Sequence, residues 1–321
     1  MIASQASLLY TPPEESLRFL PEGPYPIDQD RFSWVAIQHG PNAKTGSVNV
    51  YDFRTGVNHT YALPGRPGFA FPTDRGNFVV GCERSLGIYS IADGSFQPFV
   101  TSVDSDVEGT IINDGVISEG NLIFGTKDLE FKTKKAGLYL WRRSDRKLIR
   151  LRNDQICSNG KVVRSLGGGV IELLDIDSPT RKVVAYRINV ERGVIESERV
   201  ALDLKDQVGV PDGMTSTLDG KGVIISLYNP DPAPYGRTIQ VNLETQRVEC
   251  EWHTEGSPQA TCPQWVNRGG SVTLLVTTAV ENMPSERRSA ALNSGSLFAV
   301  GTDQLWADDI LGSLTPTFQE L

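Results

Sequence analysis

Histidine, cysteine pairs and runs of positive charge are scarce in this chain of 321 residues, and each scarcity excludes a class of function. Only His39, His59 and His253 are present, too few and too scattered for a zinc centre built on imidazole. Cys82, Cys157, Cys250 and Cys262 form no C-x-x-C pair, so free and mostly buried thiols are expected rather than a disulfide framework. No basic run exceeds Lys134-Lys135 or Arg142-Arg143, and 39 acidic against 31 basic residues leave a net charge of -8, which argues against a nucleic-acid partner. The opening MIASQASLLYTPPEE has no basic segment leading into an apolar stretch, and nothing approaches the ~20 apolar residues of a membrane span. A cytoplasmic protein without a membrane partner is the expectation.

Sustained 3.6-residue apolar periodicity is also lacking, and short runs rich in Val, Ile, Phe, Tyr and Thr recur in its place. Segments 33–38, 48–53, 77–82, 87–91, 121–126, 137–142, 183–190, 223–228, 238–242, 272–277 and 296–300 read as strands. The 31 Gly and 19 Pro follow no collagen period and mark many turns, among them Thr55-Gly56, Asp93-Gly94, Asn159-Gly160, Asp219-Gly220 and Ser294-Gly295. With hydrophobic residues at 39%, there is material for a sizeable core.

A repeat organises these strands. Turn-like segments that precede a strand stand at Glu22-Gly23-Pro24, Pro67-Gly68, Asn113-Asp114-Gly115, Asn159-Gly160, Asp212-Gly213-Met214 and Thr261-Cys262-Pro263. Positions 22, 68, 113, 159, 212 and 262 are separated by 46, 45, 46, 53 and 50 residues, the spacing of propeller blades. The expectation is a single all-β domain, a six-bladed propeller of four-stranded antiparallel blades. The blades cover about 22–66, 67–108, 109–152, 153–206, 207–256 and 257–302, and residues 8–12 close the last one so that the ring has no free edge.

Blade entries converge on one end of a propeller channel. Three of the six carry hard oxygen donors, Glu22, Asn159 and Asp212, with Asn113 and Asp114 as further candidates. Taken one at a time, Asn-Gly and Asp-Gly are common hairpin turns, and Glu22 fits a solvent-facing turn. Their shared phase in the repeat directs them to one place, where unpaired carboxylates repel unless a cation sits among them. Oxygen donors favour Ca²⁺, Mg²⁺ or Mn²⁺.

The ordered motifs PEGP (21–24), IINDG (111–115), CSNG (157–160), VPDGM (210–214) with DGKGVIISLYN (219–229), and GSLFAV (295–300) resemble those of the senescence marker protein (regucalcin) and gluconolactonase family of six-bladed propeller lactonases. The resemblance spans about residues 18–302. It implies one divalent metal held by Glu22, Asn159 and Asp212, with Ca²⁺ first and Mg²⁺, Mn²⁺ or Zn²⁺ open. Asp212 would be general base, and Asn113 and Glu130 would contact substrate. At the substrate-binding position where the family commonly has Arg, this chain has Ile111, which cannot donate a hydrogen bond, so specificity is expected to differ. Lys127, in the adjacent strand-end segment, is a candidate substitute for that Arg, although a solvated surface lysine is the preferred reading. Segments 127–135 and 281–294 are long enough to form lids.

The expected activity is hydrolysis of a cyclic ester, a sugar (aldono) lactone first, by a protein that is monomeric or weakly homo-oligomeric. The same metal site acting on an organophosphate or another ester, and a propeller that binds metal or ligand without catalysis, are the alternatives.

Overall fold

The computed structural model describes residues 2–307, 312 and 314–320. Six antiparallel sheets stand in a ring. Their innermost strands are Pro21–Pro26, Pro67–Pro72, Thr110–Ser118, Ser158–Gly167, Val210–Ser216 and Ala260–Arg268, and each packs beside the next around a central channel. The protein is a six-bladed β-propeller, as the repeat predicts. We number its blades one to six in chain order.

The apolar faces of neighbouring blades meet as wedges rather than as one central core. Blades three and four pack Ile123, Leu138 and Leu140 against Ile171, Leu173 and Ile188. Between blades six and one, Val266, Leu275 and Leu297 meet Phe32, Trp34 and Tyr51. Central strands therefore bury both faces, which selects the Val/Ile/Leu-rich runs seen in the sequence.

The six repeat segments do not precede strands. They lie inside the innermost strands, where the pairing register shifts between Glu22 and Tyr25, Pro67 and Phe69, Ile112 and Asp114, Asn159 and Lys161, Pro211 and Met214, and Ala260 and Pro263. Each is a bulge or irregularity, which breaks the two-residue alternation and so resembles a turn in sequence. Gly56, Gly94, Gly220 and Gly295 adopt the positive φ expected of turns, but Gly160 does not. A Cβ on Gly160 would lie 2.6 Å from the Asp212 carbonyl oxygen, so close approach of blades four and five is what requires glycine there.

Both ends of the chain bind across the ring. Ser7–Tyr10 pairs antiparallel with Leu297–Leu305 on the outside of blade six, as expected for residues 8–12. Ile2–Gln5 adds an unforeseen fifth strand, parallel, to Val248–Glu255 of blade five. At the other end, Phe318 is fully buried among Phe71, Trp141 and their neighbours of blades two and three. Its N–H donates to the Pro72 carbonyl at 3.0 Å, and the Tyr25 hydroxyl donates to the Pro316 carbonyl at 2.7 Å. This tail lies at the end of the channel opposite Glu22.

Candidate functional site

The bulges re-aim side chains toward one mouth of the channel. Glu22, Asn113, Asn159 and Asp212, from blades one, three, four and five, all line a cavity of about 560 Å³ there. Asn113 falls within its bulge and donates from Nδ2 to the Ser158 carbonyl at 3.0 Å. Asn159 donates from Nδ2 to Asp212 Oδ1 and, at 3.3 Å, to Ser178 Oγ. Glu22 accepts the Gly23 N–H at 2.8 Å, a geometry that the positive φ of Gly23 permits. Below the mouth the channel narrows to a cavity of about 60 Å³ lined by Asp114, Lys161, Met214, Cys262 and Gln264.

Burial pushes the Glu22 carboxyl well above the usual range, and the Asp212 and Asp114 carboxylates add to the rise while Lys127 opposes it. Asp212 is raised well above its usual range by burial, with Glu281 and Asp114 adding and Lys127 and the Asn159 hydrogen bond opposing. Asp114 is raised by burial too. Negative charge is thus concentrated in a dry place with too little compensation, which is the environment a cation relieves.

Among the described residues no three His, Cys, Asp or Glu side chains converge as a metal cluster by themselves. The candidate set of two carboxylates takes its third donor from the Asn159 amide, and such an all-oxygen set fits a hard divalent cation. The amide now turns its nitrogen to Asp212, and a half-turn about its terminal torsion exchanges nitrogen for oxygen.

A buried support sits behind this wall. Lys161 pairs with Asp175 at 3.2 Å and donates to the Asn159 carbonyl at 3.0 Å. Asp175 also accepts from Ser158 Oγ at 2.9 Å and from Gln155 Nε2 at 2.5 Å. Backbone placement of Asn159 is therefore tied to a buried polar network, in which Gln155 Oε1 alone of these groups lacks a partner.

Four positions differ from expectation or were missed. Ile111 is buried and lies outside the cavity lining. Directly across the ladder from it stands Lys127, which is buried and lines the cavity, not a solvated surface lysine. Tyr228 and Glu281 also line the cavity and are joined through the Tyr228 hydroxyl and the Glu281 carbonyl at 2.8 Å. The strand-end position of Tyr228 in GVIISLYN was the available signal. Glu130 sits at the rim, exposed and 3.8 Å from Lys132. Leu129 and Phe131 of one proposed lid and Glu281 and Asn282 of the other reach the same cavity.

A family model described as the SMP-30/gluconolactonase/LRE-like region matches residues 20–280. The chain belongs to this SMP-30/gluconolactonase family. A Bacillus subtilis protein carrying the name of a sugar lactone lactonase is 24% identical over 286 residues, which is 87% of this chain and 89% of that protein. An uncharacterised protein of Sulfolobus acidocaldarius is 34% identical over 212 residues, 65% of this chain and 71% of its own length. In three dimensions, a calcium-binding regucalcin of Agrobacterium tumefaciens matches with a TM-score of 0.77 at 18% identity, over 99% of this chain and 98% of that one. At that identity the likeness establishes the propeller. Membership of the SMP-30/gluconolactonase family, together with the names of its members, supports a hydrolase of the lactonase kind.

Proposed function

We propose that this protein hydrolyses a lactone with one divalent cation, Ca²⁺ first among candidates, held by Glu22, Asn159 and Asp212. The observation that carries the reading is the gathering of buried Glu22 and Asp212 beside the Asn159 amide at the floor of the 560 Å³ cavity. Sugar lactones are the substrates that the relatives' names bring forward.

When bound, the cation supplies Lewis-acid polarisation of the ester carbonyl. Asn113, fixed by its bond to the Ser158 carbonyl, positions the substrate or the attacking water. With the Asn159 amide turned to present its oxygen, Asp212 would hold the cation through one carboxylate oxygen and leave the other to take a proton from that water. Water oxygen bonds to the carbonyl carbon and Asp212 receives the proton. As the ring C–O bond breaks, the leaving alkoxide takes the proton back, and a hydroxy acid results. Raising the Asp212 carboxyl by burial makes it a better proton acceptor, and the charge of a bound cation opposes that effect.

A pH-indicator screen of aldonolactones, simple lactones and an organophosphate, run with Ca²⁺, Mg²⁺, Mn²⁺ and Zn²⁺ and again with chelator, tests the proposal. Lactone opening that stops on chelation is expected, and opening that survives complete metal removal overturns the mechanism. Asp212→Asn and Asn159→Ala should each weaken Ca²⁺ binding by calorimetry while the fold persists. Unchanged affinity in both would move the site elsewhere.

A further inference from the structure

Among the described residues, the cavity lining holds one cationic side chain, which acts on Glu22 and Asp212 through its field but has no direct ion-pair or hydrogen-bond partner. Lys127, at the end of the second strand of blade three (Asn121–Asp128), is 6% exposed and lines the cavity. The neighbouring lysines are committed: Lys135 to Asp128 at 3.0 Å, Lys132 to Glu130 at 3.8 Å and Lys161 to Asp175 at 3.2 Å. Among the described residues, Lys127 Nζ has no ion pair and no hydrogen bond, and its nearest assigned contact is the face of Phe131, 5.6 Å from the ring centroid. A buried ammonium without a partner is costly, and a lone cation–π contact returns only about 0.5–1 kcal/mol at an exposed site. Lysine only donates, so the missing partner is an acceptor, and a carboxylate compensates best.

Much of the rest of the wall is apolar, with Asn113, Ser178, Asn282 and Glu130 as further polar side chains on it. Leu20, Ile37, Leu129, Phe131, Val210 and Pro211 line the cavity and offer no side-chain hydrogen bond to a hydroxyl-rich ring. Tyr228, whose hydroxyl does lie on this wall, already spends it on the Glu281 carbonyl.

We propose that Lys127 is the specificity-determining residue of the cavity and receives a carboxylate carried by an otherwise apolar lactone. This deepens the lactonase reading and rests on it for the word lactone. With the cation bound, the charges of Glu22 and Asp212 are offset, and Lys127 is left to meet an anion that Glu281 and Glu130 would otherwise repel.

The test compares kcat/KM of the Ca²⁺-loaded protein for three γ-lactones of similar size, bearing a carboxylate, an alkyl group or several hydroxyls. The carboxylated lactone should lead. Lys127→Met should lower the ratio of kcat/KM for the carboxylated over the alkyl lactone by about tenfold or more, chiefly through KM, and Lys127→Arg should recover most of it. A lead for the hydroxylated lactone, or a ratio unmoved by Lys127→Met, overturns the assignment. Calorimetry with a γ-lactam carboxylate and its uncharged carboxamide separates this from the hydrolytic reading. Preference for the carboxylate, lost in Lys127→Met, supports Lys127 even if no lactone is opened. Equal binding of the two lactams by the unsubstituted protein rejects Lys127 even if lactones are opened.

Discussion

At the scale of single residues, the acids of this protein are sorted by what surrounds them. Asp128 is buried, which alone would raise its carboxyl, but it accepts N–H bonds from Glu130, Lys132 and Thr133 at 3.1, 3.1 and 2.8 Å and pairs with Lys135. These donors hold it well below the usual carboxylate range. Because its native pKa is depressed, the stability it contributes is complete above the unfolded value of about 3.9 and is lost as pH falls through the native value. Asp128→Asn should therefore cost about 1–3 kcal/mol in urea unfolding at neutral pH, with the gap to the parent protein closing below about pH 3. It should also raise KM, since the clasped turn carries Glu130 and Phe131 to the cavity. Asp212 is the opposite case. Its raised carboxyl destabilises the ionised, metal-free fold, so Asp212→Asn should raise the Tm of chelated protein near pH 7 while abolishing the further rise that Ca²⁺ produces. A chelated Tm below that of the parent protein would contradict the repulsion described here.

At the scale of elements, the strands readable in the sequence are those at the centre of each blade. Segment 223–228 was legible because Gly222–Tyr228 is buried almost throughout, so it reads as a continuous apolar run. Its neighbour Val210–Ser216 was not, because the bulge at Asp212-Gly213 places polar and small residues where alternation would be read. The outer strand Val194–Asp203 was missed for another reason: most of it is exposed, and its Glu and Arg residues carry no apolar pattern. Val170–Asp177, a central strand, hid behind the three glycines 167–169 and its own acidic residues. What concealed the inner strands also marked the site, since each bulge falls at a repeat position. Lys127 could be named from the sequence but its burial could not, because burial is a property of the assembled ring, and no local pattern distinguishes a lysine entering a cavity from one entering solvent. Gly160→Ala tests the element-level account. Its new Cβ would meet Asp212 and Met214 at 2.6 Å, so a loss of about 1–3 kcal/mol and weaker Ca²⁺ binding are expected. Gly301→Ala, with nothing within 4 Å, should change neither by a comparable amount.

At the scale of the whole molecule, the six wedges of core act together only if the ring stays closed. The C-terminal tail straps blades one to three together through one buried ring: Phe318 lies 5.9 Å from Trp141, and the Glu320 carboxylate accepts from Thr73 Oγ1 and Asn77 Nδ2 at 2.5 and 2.9 Å. Phe318→Ala should cost about 3–5 kcal/mol by denaturant titration. A cost below about 1 kcal/mol would mean that the tail merely rests on the blades.

The N-terminal strands carry a consequence for how the protein is made. Residues 2–10 leave the ribosome long before their partners, Val248–Glu255 and Leu297–Leu305. For most of synthesis these two strands are orphaned, and blades one to four can assemble before either finds a place. Ring closure is thus a late, long-range event in which an early segment of the chain meets a much later one, and slow folding with a populated open intermediate is the behaviour such a topology favours.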